Sequence, residues 1–287
     1  MITSNSHMNP VYGIEEITNV HKYIKSGSWL MEHEQTKLLE SLIAAYTKTK
    51  YAHMVPSATA GLLIASMVAG VYRDQPFAVS AYTQAATANG AILLGGIPNI
   101  VDVDPKSYTI DFEKIPETCK LVFISSINGR YPADVVYEIT KLKAKGVFVI
   151  EDSAQALGSF IGQHAIGTIG DLGVYSFGAP KIITTGQGGC IVTNSKTISD
   201  KIIAIKNFGR EVTSGEIYNS LGLNFKFTDL QASFGIIQMK KLPEVVKIKK
   251  DIYSTYRTYL SDYVDFIDTD LSICTPTYPE ILVNNPE

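Results

Sequence analysis

Lys181 is the residue whose surroundings first point to chemistry. It follows Ser176-Phe177-Gly178-Ala179-Pro180 and precedes the run Thr184-Thr185-Gly186-Gln187-Gly188-Gly189, and no other Lys or Arg falls between Lys145 and Lys196. Most lysines sit on charged, solvated faces. One set among Phe, Pro, Ile and Gly is expected to lose hydration, which disfavours the ammonium form and makes the amine a nucleophile for carbonyls. The plain alternative is a surface lysine on a glycine-rich loop. The glycines themselves are no dinucleotide fingerprint, because they lack the G-x-G-x-x-G spacing and a following helix.

Two further segments carry chemistry of a matching kind. Val149-Ile150-Glu151-Asp152-Ser153-Ala154-Gln155 reads as an apolar strand ending in an acid at its carboxyl edge, where α/β sheets place their ligands; taken alone, Asp152 reads more readily as a helix cap. Val55-Pro56-Ser57-Ala58-Thr59-Ala60-Gly61 opens a helix with small residues. Its free N–H groups and the Thr59 hydroxyl suit a phosphate, although an ordinary Ser or Thr cap reads the same way. Together the three segments meet the needs of pyridoxal phosphate. An acid keeps the pyridine nitrogen protonated, a lysine holds the aldehyde as a Schiff base, and a helix start holds the phosphate.

Positioning an acid, an amine and an anion site around one ring needs a framework, and the chain supplies a recurring one. Short apolar runs rich in Val, Ile and Phe fall at 77–80, 99–103, 121–125, 147–151, 173–177 and 190–193, with helical stretches at 60–71, 134–144 and 198–207 between them. Strands alternating with helices predict an α/β fold with a mostly parallel sheet covered on both faces. Thr228 and Gln231 form a capping box ahead of an apolar run, and Pro243 is expected to kink or end that helix. A second long helix with Val245, Ile248, Ile252, Tyr256 and Leu260 follows, then an extended tail to Pro286-Glu287. We therefore expect a large domain over 1–245, and a linking helix with the start of a smaller domain over 246–287.

Composition narrows the partners. The 287 residues are 45% hydrophobic and 18% charged, and 25 Lys and Arg against 28 Asp and Glu leave a net charge of −3. That balance gives no basic footprint for nucleic acid and no polybasic signal for lipid. The uncharged stretches 54–72 and 75–101 are interrupted by Pro56, Gln84, Asn89, Gly95, Gly96 and Pro98, so they read as buried α/β elements rather than spanning helices. Met1 to Met8 lacks an apolar signal core. Cys119, Cys190 and Cys274 are few, odd in number and scattered, which suits a reducing, cytoplasmic setting without disulfides. The five histidines show no ligand spacing, so no metal is expected.

The block Glu151-Asp152-Ser153-Ala154-Gln155-Ala156-Leu157-Gly158, followed by Gly167-Thr168-Ile169-Gly170-Asp171 and by Ser176-Phe177, Lys181 and Thr185-Gly186-Gln187-Gly188-Gly189, resembles the DegT/DnrJ/StrS family. Weaker matches fall at Ser26-Gly27, Ser57 to Gly61, Val101 to Asp104 and Gly222-Leu223-Asn224-Phe225. The resemblance implies the aspartate-aminotransferase-like fold type I of pyridoxal-phosphate sugar aminotransferases. It implies transfer of an amino group, usually from glutamate, to a nucleotide-linked keto-deoxysugar, in amino-sugar and polysaccharide biosynthesis. By position it assigns Lys181 to the Schiff base, Asp152 to the pyridine nitrogen and Gln155 to the ring hydroxyl. Ala58, Thr59 and Ser176 are assigned to the phosphate. Asn224 matches an asparagine that reaches the phosphate from a neighbouring subunit, which implies a homodimer with shared sites.

Four departures stand out. Gln84 occupies the place of an aromatic that stacks on the ring, Lys226 that of an arginine, Gln187 that of a glutamate, and most of the smaller domain is lacking. A 3-dehydratase branch of the family carries histidine for the lysine, and Lys181 argues against that branch. The competing reading from another class is a non-catalytic protein, regulatory or fragmentary, that keeps the scaffold.

Overall fold

The computed structural model describes residues 10–210 and 216–283; the expectations for Met1 to Met8 and Pro286-Glu287 lie outside them. Helices α1 (Ile14–Lys25) and α2 (Glu34–Thr47) lead into β1 (Tyr51–Val55), α3 (Ala58–Val68), β2 (Pro76–Ser80), α4 (Ala86–Leu93) and β3 (Ile97–Val101). Then come β4 (Leu121–Ser125), α5 (Val135–Ala144) and β5 (Phe148–Asp152), and a small hairpin of β6 (Phe160–Ile161) and β7 (His164–Ala165). β8 (Leu172–Ser176), β9 (Gly189–Thr193), α6 (Lys196–Lys206) and α7 (Asp229–Leu260) follow, and β10 (Asp265–Phe266) pairs with β11 (Ile281–Leu282).

The seven-stranded sheet has the order β1-β9-β8-β5-β4-β2-β3. The pairs from β3 through β8 are all parallel, and β9 runs antiparallel to both of its neighbours. The expected mostly parallel sheet is therefore present. Its inner strands are buried on both faces, as parallel strands between helix layers must be, while the edge strand β3 leaves Ile97 and Ile100 exposed. Side chains alternate across each strand: Phe77, Phe123, Ile150, Val174 and Ile191 pack with α3, α4 and α6. On the other face Val122, Ile124 and Val149 meet α5, while Tyr175 and Cys190 meet α2 and α7. The uncharged stretches resolve into β1 with α3, and into β2, α4 and β3. Among the described residues no helix is long and apolar enough to cross a membrane.

α7 corrects one expectation. Thr228 caps it as read, its hydroxyl accepting from Gln231 N at 3.3 Å, a contact worth about 0.5–2 kcal/mol. Pro243 does not end the helix, which spans 32 residues in all and runs on to Leu260. Proline removes one ladder bond and crowds the preceding turn, but α7 packs along both α1 and α2. Leu242 and Met239, just before the proline, are buried, so tertiary packing outweighs the local penalty.

After α7 the chain doubles back over the sheet's carboxyl edge. Thr275 N donates to Ser159 Oγ at 2.9 Å, and Thr277 N to Asn128 Oδ1 at 2.7 Å. Asn128 Nδ2 returns a bond to Tyr278 O at 2.8 Å, and the buried Arg130 pairs with Glu280. The returning segment is thereby pinned to the loops that follow β4 and β5.

Candidate active site

β4, β5 and β8 end side by side. Ser125 stands opposite Asp152 in register, and Asp152 opposite Val174, two residues before Ser176. Three parallel strands thus deliver Ser125, Asp152 and Ser176 to one edge. A cavity of about 220 Å³ opens there, lined by Ala58, Thr59, Gln84, Asp152, Gln155, Ser176 and Lys181. Seven of the eight residues singled out in the sequence therefore meet in one cavity. Asn224, the eighth, is not among its lining residues. It sits in the segment after α6, bridged to Asn207, and its Oδ1 accepts from Lys226 N at 3.3 Å.

Each wall has a local cause. Ser57 caps α3 by accepting from Ala60 N at 3.1 Å, which leaves the first-turn amides of Ala58 and Thr59 ahead of the helical ladder. β9 comes close to this helix start because Gly189 has no side chain: a Cβ there would meet Ala58 N at 2.6 Å. That close approach explains one glycine of the Gly-x-Gly-Gly run. Gln155 lends its Oε1 to Asn128 N at 2.8 Å, which ties the β5 loop to the β4 loop. Gly178 N leans on Ser176 Oγ at 3.4 Å, a weak contact that leaves the hydroxyl available to the cavity.

Asp152 and Lys181 oppose one another electrostatically. Burial pushes the Asp152 carboxyl above the usual carboxylate range, while bonds from Thr87 and Ala154 N and the Lys181 charge pull it back. Burial also draws the Lys181 ammonium below the ordinary lysine value, and the Asp152 charge works against that. Asp152 is the one charge that acts on Lys181 among the described residues. An amine that gives up its proton more readily than a surface lysine is a competent acid–base group.

The fit to pyridoxal phosphate can be judged on these atoms. Asp152 Oδ2 takes one bond, from Thr87 Oγ1 at 2.6 Å, and Oδ1 takes one from Ala154 N at 3.2 Å. Each carboxylate oxygen has two acceptor sites, so a further donor such as a protonated ring nitrogen can be received. The helix start offers amides and hydroxyls for a phosphate, and Lys181 an amine for an aldehyde. The residues fit the group. The cavity suits a single substituted ring.

Four hydroxyls in this site were not singled out in the sequence: Thr83, Ser125 and Ser126, which line the cavity, and Thr87 behind it. Thr83 and Thr87 lie one helical turn apart, which could have signalled a shared partner. A larger groove of about 820 Å³ runs between α3, α6 and residues 219–221. Asp200 and Lys201 are its charged groups, and its walls are largely aliphatic, so no acid–base pair of the Asp152 and Lys181 kind is assembled in it.

Comparison with known proteins extends this reading. The sequence model of the DegT/DnrJ/EryC1/StrS aminotransferase family matches residues 11–272. A GDP-perosamine synthase of Vibrio cholerae is 29% identical over 264 residues, covering 88% of this chain and 71% of that protein. The spore coat polysaccharide biosynthesis protein SpsC of Bacillus subtilis is 31% identical over 264 residues, covering 87% and 67%. In structure, the aminotransferase TlmJ from Streptoalloteichus hindustanus superposes with a TM-score of 0.88 at 27% identity, over 95% of this chain and 76% of that one. A GDP-4-keto-6-deoxymannose-3-dehydratase shares the fold with a TM-score of 0.87 at 20% identity, over 99% and 81%. The architecture is thus common to amination and dehydration.

Proposed function

The chain belongs to the DegT/DnrJ/EryC1/StrS aminotransferase family, and from that premise we propose that it uses pyridoxal phosphate to move an amino group, with glutamate as donor, onto a nucleotide-linked keto-deoxysugar. The observation that carries this reading is the meeting of Asp152, Lys181 and the α3 helix start in one cavity. Relatives named for perosamine and spore coat polysaccharide synthesis support the substrate class.

Bound pyridoxal phosphate supplies an aldehyde that exchanges amines and a ring that takes up electrons. Asp152 would hold the protonated ring nitrogen, and Gln155 the ring hydroxyl. The amides of Ala58 and Thr59, with the Thr59 and Ser176 hydroxyls, would hold the phosphate, aided by the positive end of α3. Gln84 would cover one face of the ring. Lys181 Nζ would anchor the cofactor, and as a free amine it would be the acid–base group, taking the proton from the donor's α-carbon and, in the second half of the reaction, giving one to the former carbonyl carbon of the sugar. Positioned acid–base work of this kind is typically worth ~10²–10⁴-fold. A lysine is what amination requires here, whereas the dehydratase branch is expected to carry histidine at this place.

The remaining assignments belong to the same reading. A homodimer in which the partner's Asn224 reaches the phosphate is supported by the position of Asn224 outside its own chain's cavity. The three buried free cysteines suit a reducing cytoplasm. Residues 1–245 form the cofactor-holding unit, and 246–287 open a second, smaller unit; the greater length of the relatives supports that division.

The test is to load the protein with pyridoxal phosphate, reduce it with borohydride and map the modified peptide. The adduct is expected on Lys181, and glutamate-dependent amination of a nucleotide-linked keto-sugar is expected from the loaded protein. A colourless protein without that adduct would favour the non-catalytic reading.

A further inference from the structure

Thr87 is buried behind Asp152, outside the residues that line the cavity. Its Oγ1 lies 2.6 Å from Asp152 Oδ2 and 2.8 Å from Thr83 Oγ1, which in turn lies 2.7 Å from Ser125 Oγ. Each hydroxyl has a single proton to give. An ionised Asp152 accepts from Thr87, so Thr87 must accept from Thr83, and Thr83 from Ser125. The carboxylate therefore fixes the direction of the whole row.

We propose that Ser125, Thr83 and Thr87 form a one-way hydroxyl chain that holds Asp152 ionised and aimed at the cofactor, with Thr87 as the positioning residue. This rests on the reading of the cavity as a pyridoxal phosphate site. Charge-assisted hydrogen bonds are about twice as strong as neutral ones, and linked hydroxyls polarise one another in a buried setting. Burial pushes the Asp152 carboxyl upward, and of the two bonds that oppose it the one from Ala154 N is long at 3.2 Å. Thr87 is thus the main support of the charge. Because the Ser125 proton points toward Thr83, Ser125 turns lone pairs rather than a donor to the cavity. A ligand group opposite it must bring its own N–H or O–H.

The experiment compares Thr87→Val, Thr87→Ser and Ser125→Ala with the unmodified protein. It reads the pyridoxal phosphate dissociation constant by equilibrium dialysis and the pH midpoint of the bound cofactor's visible absorption. Thr87→Val is expected to weaken cofactor binding roughly ten- to hundredfold and to shift the pH midpoint. Thr87→Ser is expected to restore both, and Ser125→Ala to move both by less in the same direction. Melting of the cofactor-free variants checks folding. If Thr87→Val misfolds, the decision passes to Ser125→Ala, where unchanged affinity and midpoint refute the chain. If Thr87→Val folds and matches the unmodified protein in both readouts, or if Thr87→Ser folds and fails to rescue, the proposal is overturned while the Lys181 adduct stands. An unmodified protein that binds no cofactor and gives no adduct overturns the function and this inference together.

Discussion

Glu151 and Asp152 are neighbours on β5, both buried, and the alternation of the strand sends them to opposite sides. Glu151 faces a closed nest. Gly167 N at 2.9 Å, Ile169 N at 2.6 Å, Gly170 N at 2.5 Å and the Tyr131 hydroxyl at 3.0 Å all donate to it. Asp152 receives two donors, faces a cavity and feels the Lys181 charge. Burial raises both carboxyls, so burial does not separate them. Unspent acceptor capacity does. Four donors on Glu151 fasten the 167–170 loop to the strand, a structural duty, whereas the free lone pairs of Asp152 are what a ligand can use.

The comparison breaks if the two sides respond alike. On the open side, Lys181→Ala should abolish the borohydride adduct and lower amination of a nucleotide-linked keto-sugar by at least ~10²–10⁴-fold, with melting temperature unchanged or raised. Asp152→Asn should follow, at roughly 10²–10³-fold in turnover by loss of preorganised charge. On the closed side, Glu151→Gln sets an amide N–H₂ against backbone N–H groups. Each buried donor left unmet costs about 1–3 kcal/mol, read as a lower midpoint in urea, while residual folded protein keeps its cofactor site.

A pH titration sharpens the contrast. A carboxyl raised in the folded state holds its proton where the unfolded chain has already lost it. Stability of the cofactor-free protein should therefore fall as pH rises from about 4 through the raised Asp152 value. Asp152→Asn should flatten its share of that fall, as followed by melting temperature against pH. The smallest effect is expected at Gln84→Phe. An aromatic in that wall adds about 0.5–1.5 kcal/mol of stacking, measured as tighter pyridoxal phosphate binding in equilibrium dialysis.

The parts of the fold legible in the sequence were those governed by local pattern. The run 121–125 is β4, 190–193 lies inside β9, and 147–151 is displaced from β5 by one residue. α3 begins at Ala58 and ends at Val68, ahead of the expected 60–71, because Ser57 rather than Thr59 caps it. β1 was not legible: Tyr51-Ala52-His53-Met54-Val55 carries a mid-strand histidine and merges into the apolar start of α3. His53 is accommodated beside Ser199 Oγ at 2.9 Å, a partner 146 residues away that no window reveals. Pro243 misled for the same reason, since packing against α1 and α2 is invisible locally. In the site, residue types exposed Lys181 and Asp152. Thr83, Thr87 and Ser125 are common residues whose meaning comes from the fold bringing them into one row.

The returning segment also sets an order of events. Asn128 waits for Thr277, 149 residues further along the chain. Gly158 (φ +93) waits for Thr275 and Val246, whose side chains would lie 3.3 and 2.6 Å from any Cβ placed there. At about 5–20 residues per second, a ribosome needs on the order of ten seconds to travel from one partner to the other. In the later part of that interval, once β9 (Gly189–Thr193) has been made, the strands can already be paired while the loops after β4 and β5 stand uncovered. The nascent protein thus passes through a stage in which its framework is built and its active-site rim is still open to chaperones and proteases.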